Sequence, residues 1–140
     1  MKRIILGAII LLLVNFAAMA QTVRNETNCP VNVTRECYDI CVLVSTNTIT
    51  VQPGQTLSFA LTPCPYPSNG VIYTVCWRLG EPCLGQPPVP CTSVDGSPVA
   101  PSPCSPGTYT GAIQFCDRCA PNGVARVTFD PSTNHLTIEP

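Results

Sequence analysis

Charge is scarce in this chain. Asp, Glu, Lys and Arg make up 11% of its 140 residues, less than half the ~25% usual in soluble domains. The one lysine, Lys2, lies with Arg3 inside the first 20 residues. Beyond them Arg24, Arg35, Arg78, Arg118 and Arg126 face eight acids, so the balance is negative. Nucleic-acid binding and cationic membrane lysis need a basic footprint, and both are excluded. Histidine occurs once, as His135, and methionine only as Met1 and Met19, so a blue-copper site lacks its ligands. A Ser-His-Asp arrangement would have to use His135 with Asp117 or Asp130, and no Gly-x-Ser-x-Gly elbow offers a nucleophile. Phosphate-cradling and dinucleotide-binding glycine loops are missing. Eight carboxylates need no role beyond surface solvation. No catalytic, cofactor-binding or metal residue is expected.

What is present starts with a leader. Lys2-Arg3 precede the apolar run Ile4 to Val14, and Ala18-Met19-Ala20 supplies a small-x-small cleavage site. This reads as a signal peptide over 1–20, with one domain over 21–140. The run is too short to span a bilayer. The closing residues Leu136 to Pro140 are polar, so neither a stable membrane anchor nor an anchor tail is expected. The protein should be secreted, to the cell exterior or a periplasm.

Ten cysteines follow the leader: Cys29, Cys37, Cys41, Cys64, Cys76, Cys83, Cys91, Cys104, Cys116 and Cys119. An even count in an exported chain predicts five disulfides, with connectivity open among on the order of a thousand pairings. Cys116-Asp-Arg-Cys119 has thioredoxin-like spacing but follows a strand-like run and precedes a turn, which favours a structural role. Cys37-x3-Cys41 with Cys116-x2-Cys119 could hold zinc, but an oxidising compartment favours disulfides.

Period-two alternation dominates the rest. It marks strands at Cys29 to Thr34, Ile40 to Val44, Ile49 to Val51, Leu57 to Leu61, Val71 to Leu79, Thr108 to Phe115, Val124 to Phe129 and His135 to Glu139. Pro53-Gly54 fits a type II turn, and Asp130 to Asn134 a hairpin turn with Asn134 left-handed. The fold class is therefore all-β, a small antiparallel β-sandwich or partly open barrel. The inward set is Val31, Val33, Val42, Val44, Leu57, Phe59, Val71, Tyr73, Val75, Trp77, Ile113, Phe115, Val127, Phe129, Leu136 and Ile138. Tyr73 and Trp77 share a strand face and are assigned to the core, while Tyr66 between two prolines is expected outside it.

From Gly80 to Gly107 the alternation stops. Half of the 16 prolines lie there with Cys83, Cys91 and Cys104, so regular sheet is not expected and the cysteines should tether a long loop. Asn25-Glu-Thr27 and Asn32-Val-Thr34 match glycosylation sequons, although Asn32 falls within a predicted strand.

Asn28-Cys-Pro-Val-Asn-Val33, Ile49-Thr-Val-Gln-Pro-Gly54 and the closing Val124 to Phe129 and Leu136 to Ile138 strands resemble small exported bacterial Cys-rich β-sandwich proteins of unassigned function. The opening is loosely similar to thaumatin-like proteins, whose greater length and acidic cleft this chain lacks. The resemblance implies an exported sandwich and carries no functional residue. The expected function is a non-catalytic binding or interaction module for a protein or glycan partner, with 80–107 as its contact loop. The alternative is a protease inhibitor using the loop between Cys83 and Cys104.

Overall fold

A computed structural model describes residues 21–59, 64, 70–78, 91–97, 104, 106–114 and 119–140. The expected leader, Tyr66, Phe115 and most of 80–107 lie outside them. Among the described residues nine strands form two sheets packed face to face: β1 Thr22–Asn25, β2 Val31–Asp39, β3 Val42–Val51, β4 Thr56–Ser58, β5 Gly70–Trp77, β6 Cys91–Asp95, β7 Thr110–Gln114, β8 Val124–Asp130 and β9 His135–Glu139. One sheet runs β4-β1-β9-β8-β7 and the other β3-β2-β5-β6. The sheets do not close into a barrel, so the molecule is a β-sandwich.

Every pairing is antiparallel except β1 with β9, which run parallel from Thr22 beside His135 to Asn25 beside Ile138. Parallel neighbours need a long connection. Here the two strands come from opposite ends of the described chain, so most of the domain serves as that connection.

Alternation sets the core. Val31 and Val33 on β2, Tyr73, Val75 and Trp77 on β5, Val127 and Phe129 on β8, and Leu136 and Ile138 on β9 all point inward and are buried. Phe59, Val71 and Ile113 join them, and Leu57 packs half-buried against the cluster. Tyr73 bridges the sheets, its ring centroid 5.4 Å from Phe129 and 5.9 Å from Phe59. Pro53-Gly54 turns as expected, with Gly54 at φ 71° and the Gln55 N–H donating to the Gln52 carbonyl at 3.0 Å. Asn134 is left-handed at φ 52°.

Two expectations fail. Val42 and Val44 are not core: they are 64% and 44% exposed. The run Ile40 to Val44 is not a separate buried strand. Ile40 and Cys41 form a two-residue hairpin turn, and β3 then runs unbroken from Val42 through Val51. Burial on β2 ends at Cys37, where the pairing with β3 shifts register. Beyond that point Ile40, Val42, Leu43 and Val44 are exposed.

The second failure is β6, which is regular sheet inside the stretch expected to have none. Cys91-Thr-Ser-Val-Asp95 is free of proline, pairs with β5 from Cys76 to Ile72, and buries Val94. Proline is excluded only where a ladder N–H is needed, and the seven residues between Pro90 and Pro98 are room enough for a five-residue edge strand.

Candidate functional site

Four disulfides fasten the described residues: Cys29–Cys119, Cys37–Cys64, Cys41–Cys104 and Cys76–Cys91. Cys83 and Cys116 lie outside them, so the fifth expected bridge is not seen. The pairing divides both spacing motifs. Cys37 and Cys41 go to different partners, and Cys119 joins Cys29 instead of Cys116, which removes the zinc and thioredoxin-like readings. Intrachain disulfides persist in oxidising compartments, and they place the protein outside the cytoplasm. Among the described residues no helix is long and apolar enough to cross a membrane.

The β2–β3 hairpin tip is the most unusual surface. Ile40 and Cys41 both have positive φ, 45° and 63°, as a two-residue type I′ turn requires. Such turns favour Asn and Gly, and a β-branched residue there is strained. Ile40 is nevertheless 78% exposed, and Val42, Leu43 and Val44 follow it on the surface. Consecutive exposed apolar residues are costly in a soluble domain unless they meet a partner. Cys41, inside this run, is bonded to Cys104 at a Cα separation of 5.2 Å. The bridge joins the tip covalently to the C-terminal end of the proline-rich stretch. Glu36 and Asp39 lie beside the tip on β2, so its flank is acidic.

Arg35 sits in the core, a position the alternation pattern occupies but composition argues against. It is 2% exposed on β2 between Val33 and Cys37. Its guanidinium lies 4.8 Å from the Phe59 ring centroid, and Nη1 donates to Gln21 Oε1 at 3.1 Å. Burial lowers its pKa and the facing Tyr73 opposes that shift. The same burial pushes the Tyr73 hydroxyl well above the usual tyrosine range, with Arg35 pulling the other way.

His135 stands at the start of β9, where Nδ1 hydrogen-bonds Thr22 Oγ1. Asp130 is its cross-strand neighbour, but that carboxylate accepts the Ser132 N–H and hydroxyl at 2.9 and 2.7 Å and the Thr133 hydroxyl at 2.8 Å. Those bonds, the Ser132 hydroxyl foremost, lower its pKa. The carboxylate is committed to its own turn. Asp117 lies outside the described residues.

The Asn25 sequon is a structural corner. Asn25 is fully buried. Its amide donates to the Cys29 carbonyl at 2.8 Å and the Val51 carbonyl at 3.0 Å. Its Oδ1 accepts the Thr27 N–H and hydroxyl at 3.0 and 2.7 Å. Asn32 lies on the outer face, with Oδ1 accepting from Thr50 at 2.9 Å. Beside it, Thr48, Thr34, Thr74 and Ser93 form one register row across all four strands. Thr34 bonds Thr48 at 2.8 Å and Thr74 bonds Ser93 at 2.9 Å.

A shallow groove of about 630 Å³ crosses β7, β8 and β9, lined by Thr110, Gly111, Ala112, Val124, Arg126, Glu139 and Pro140. Its lining side chains offer one cation, one carboxylate and the Thr110 hydroxyl, and no imidazole or thiol. Tyr73 and Trp77 are core, while Tyr109 is half-buried with its ring 6.2 Å from Phe129, so these aromatics do not form an open binding face. Comparisons with protein-family models, curated proteins and solved structures find no match to this chain.

Proposed function

We propose that this is a secreted, non-catalytic binding module, and that its contact surface is the β2–β3 hairpin tip with the proline-rich stretch bonded to it. The observation that carries the reading is the exposed run Ile40 to Val44, held at a strained turn and tethered through Cys41–Cys104. A rigid, pre-ordered apolar surface loses little conformational entropy on binding, and loops or tips on a stable scaffold are the usual site of recognition. The acidic flank suits a protein partner with an apolar pocket and a basic rim. It does not suit an anionic lipid surface. A photo-crosslinking residue at position 43 in the natively secreted protein should capture a partner as one adduct of defined mass. The same residue at position 126, in the groove, should not. Equal capture at both positions, or none at 43, would remove the reading.

A protease inhibitor is the second reading. It is favoured by one observation: Cys91 is bonded to Cys76 on β5 and Cys104 to Cys41 in the β2–β3 turn, so the stretch between them is tethered at each end. A panel of serine and cysteine proteases at micromolar inhibitor decides it.

A further inference from the structure

Gln21 directly follows Ala18-Met19-Ala20, so a leader cut at that site leaves Gln21 as the first residue, with a free α-amine. The residue is half-buried, and its polar groups divide into two kinds. Its main-chain carbonyl accepts the Phe59 N–H at 2.9 Å and the Ser58 hydroxyl at 3.4 Å. Its side-chain Oε1 accepts from Arg35 Nη1 at 3.1 Å. The main-chain nitrogen and the side-chain Nε2 make no hydrogen bond among the described residues. The next residue is fixed as well, since the Thr22 N–H donates to the Asn134 carbonyl at 3.1 Å.

Ring closure of a terminal glutamine needs this division. The α-amine attacks the side-chain Cδ. The Nα–Cδ bond forms, the Cδ–Nε2 bond breaks, and Nε2 takes a proton from Nα and leaves as ammonia. The product is a five-membered lactam, pyroglutamate, and no oxidant or reductant takes part. The two nitrogens that react are the two that the fold leaves unbonded. The oxygen that gathers negative charge in the tetrahedral intermediate is the one that Arg35 holds. A donor preset on a developing oxyanion lowers its barrier. This donor is a cation only 2% exposed, placed over the Phe59 ring by the core itself. A nearby cation also favours the unprotonated, nucleophilic form of the amine.

We propose that Gln21 is a modification site: the mature protein begins with pyroglutamate, formed with Arg35 Nη1 donating to the reacting Oε1. This rests on the proposed secretion, which frees the α-amine, and is independent of what the hairpin tip binds. The lactam keeps the bonds from Phe59 and Ser58, because they use the main-chain carbonyl, and the α-nitrogen has none to lose. It also removes a second positive charge from beside Arg35. The chain end then carries no amine, the group by which aminopeptidases hold a substrate. β1, paired on one side with β4 and on the other with β9, is closed to trimming from that end.

Intact-mass and fragment-ion measurements on the exported, oxidised protein test this. The expected chain starts at residue 21 and is lighter by one ammonia than its sequence requires. An exported chain that starts at Gln21 with a free amine, or at any other residue, would overturn the proposal and leave the secretion reading standing. A chain that stays in the cell and keeps residues 1–20 would overturn both. The part given to Arg35 is read from rates. Protein released from a fusion cut immediately before Gln21 should close the ring about tenfold faster when folded and oxidised than when reduced and unfolded in urea at the same pH. An equal or slower rate in the folded protein would overturn the role of Arg35 and with it the proposal.

Discussion

Arg35 on β2 faces Tyr73 on β5 as a cross-strand pair in the interior of the sandwich. The cation is held over Phe59, while the Tyr73 hydroxyl has no hydrogen-bond partner among the described residues. A buried hydroxyl without a partner costs about 1–3 kcal/mol. Tyr73→Phe keeps the ring contacts with Phe59 and Phe129 and removes the hydroxyl. It should stabilise the domain by about 1 kcal/mol, a rise in Tm of roughly 4 °C. The pH dependence follows from the same group. Its pKa is raised in the folded state, so the unfolded chain ionises first as pH climbs past the ordinary value of 10.0. Stability contributed by the protonated phenol is complete below that pH and is lost above it. Melting curves between neutral pH and pH ~11 should show the native protein losing stability faster than Tyr73→Phe. Parallel curves would refute the assignment.

Asn25 closes a corner between β1 and β2 by donating to two carbonyls and accepting twice from Thr27. Asn25→Ala would leave buried partners unsatisfied, at a cost of about 3 kcal/mol. Asn25→Asp keeps the acceptor and loses both donors, so it should also destabilise, by bringing a carboxylate up to the Cys29 and Val51 carbonyls. Urea midpoints at constant slope measure both. A change in midpoint no larger than that of an exposed control such as Thr46→Ala would show that the corner is not needed.

The Asn25 corner was legible only as a sequon, because residue type alone does not say which way an amide faces. The two sheets were legible because alternation reports burial directly: Val71 to Trp77, Val127 to Phe129 and Leu136 to Ile138 face inward as their pattern requires. β1 escaped notice because one valine between Thr22 and Arg24 makes no pattern, although Val23 is fully buried. β6 was hidden by the prolines on either side of it. Arg35 occupied an inward position in plain alternation with Val31 and Val33, and its charge argued against placing it there. The hairpin tip misled in the opposite direction. A continuous apolar run signals burial when another layer covers it, and Ile40 to Val44 stay exposed. That mismatch between pattern and exposure is what marks the tip as a candidate surface.

Strain at the tip has its own consequence. Ile40 pays for its left-handed backbone at φ 45° without the compensation of burial. Asn tolerates that region, so Ile40→Asn should stabilise the fold by about 1 kcal/mol. The same change removes the most exposed apolar side chain and should weaken partner capture at position 43. Stability rising while capture falls is the signature of a residue retained for recognition. If both fall together, Ile40 is structural and the tip loses its leading residue.

The disulfides should differ in worth, because closing a longer stretch of chain removes more freedom from the unfolded state. Cys29 and Cys119 are 90 residues apart and Cys76 and Cys91 only 15. On chain entropy alone the first contributes about 4.5 kcal/mol and the second about 3 kcal/mol. The native surroundings reinforce this order, since Cys119 is fully buried in the core cluster while Cys91 is exposed on the edge strand β6. Replacing each pair by alanine should therefore lower Tm more for Cys29–Cys119 than for Cys76–Cys91, and full reduction should unfold the domain, seen as loss of near-ultraviolet circular dichroism. Thiol titration in denaturant without reductant should find no free thiol, which requires Cys83 and Cys116 to be bonded as well. Two thiols per chain would limit the framework to four bridges, and native near-ultraviolet signal persisting in excess reductant would mean that the sheets hold without their covalent links.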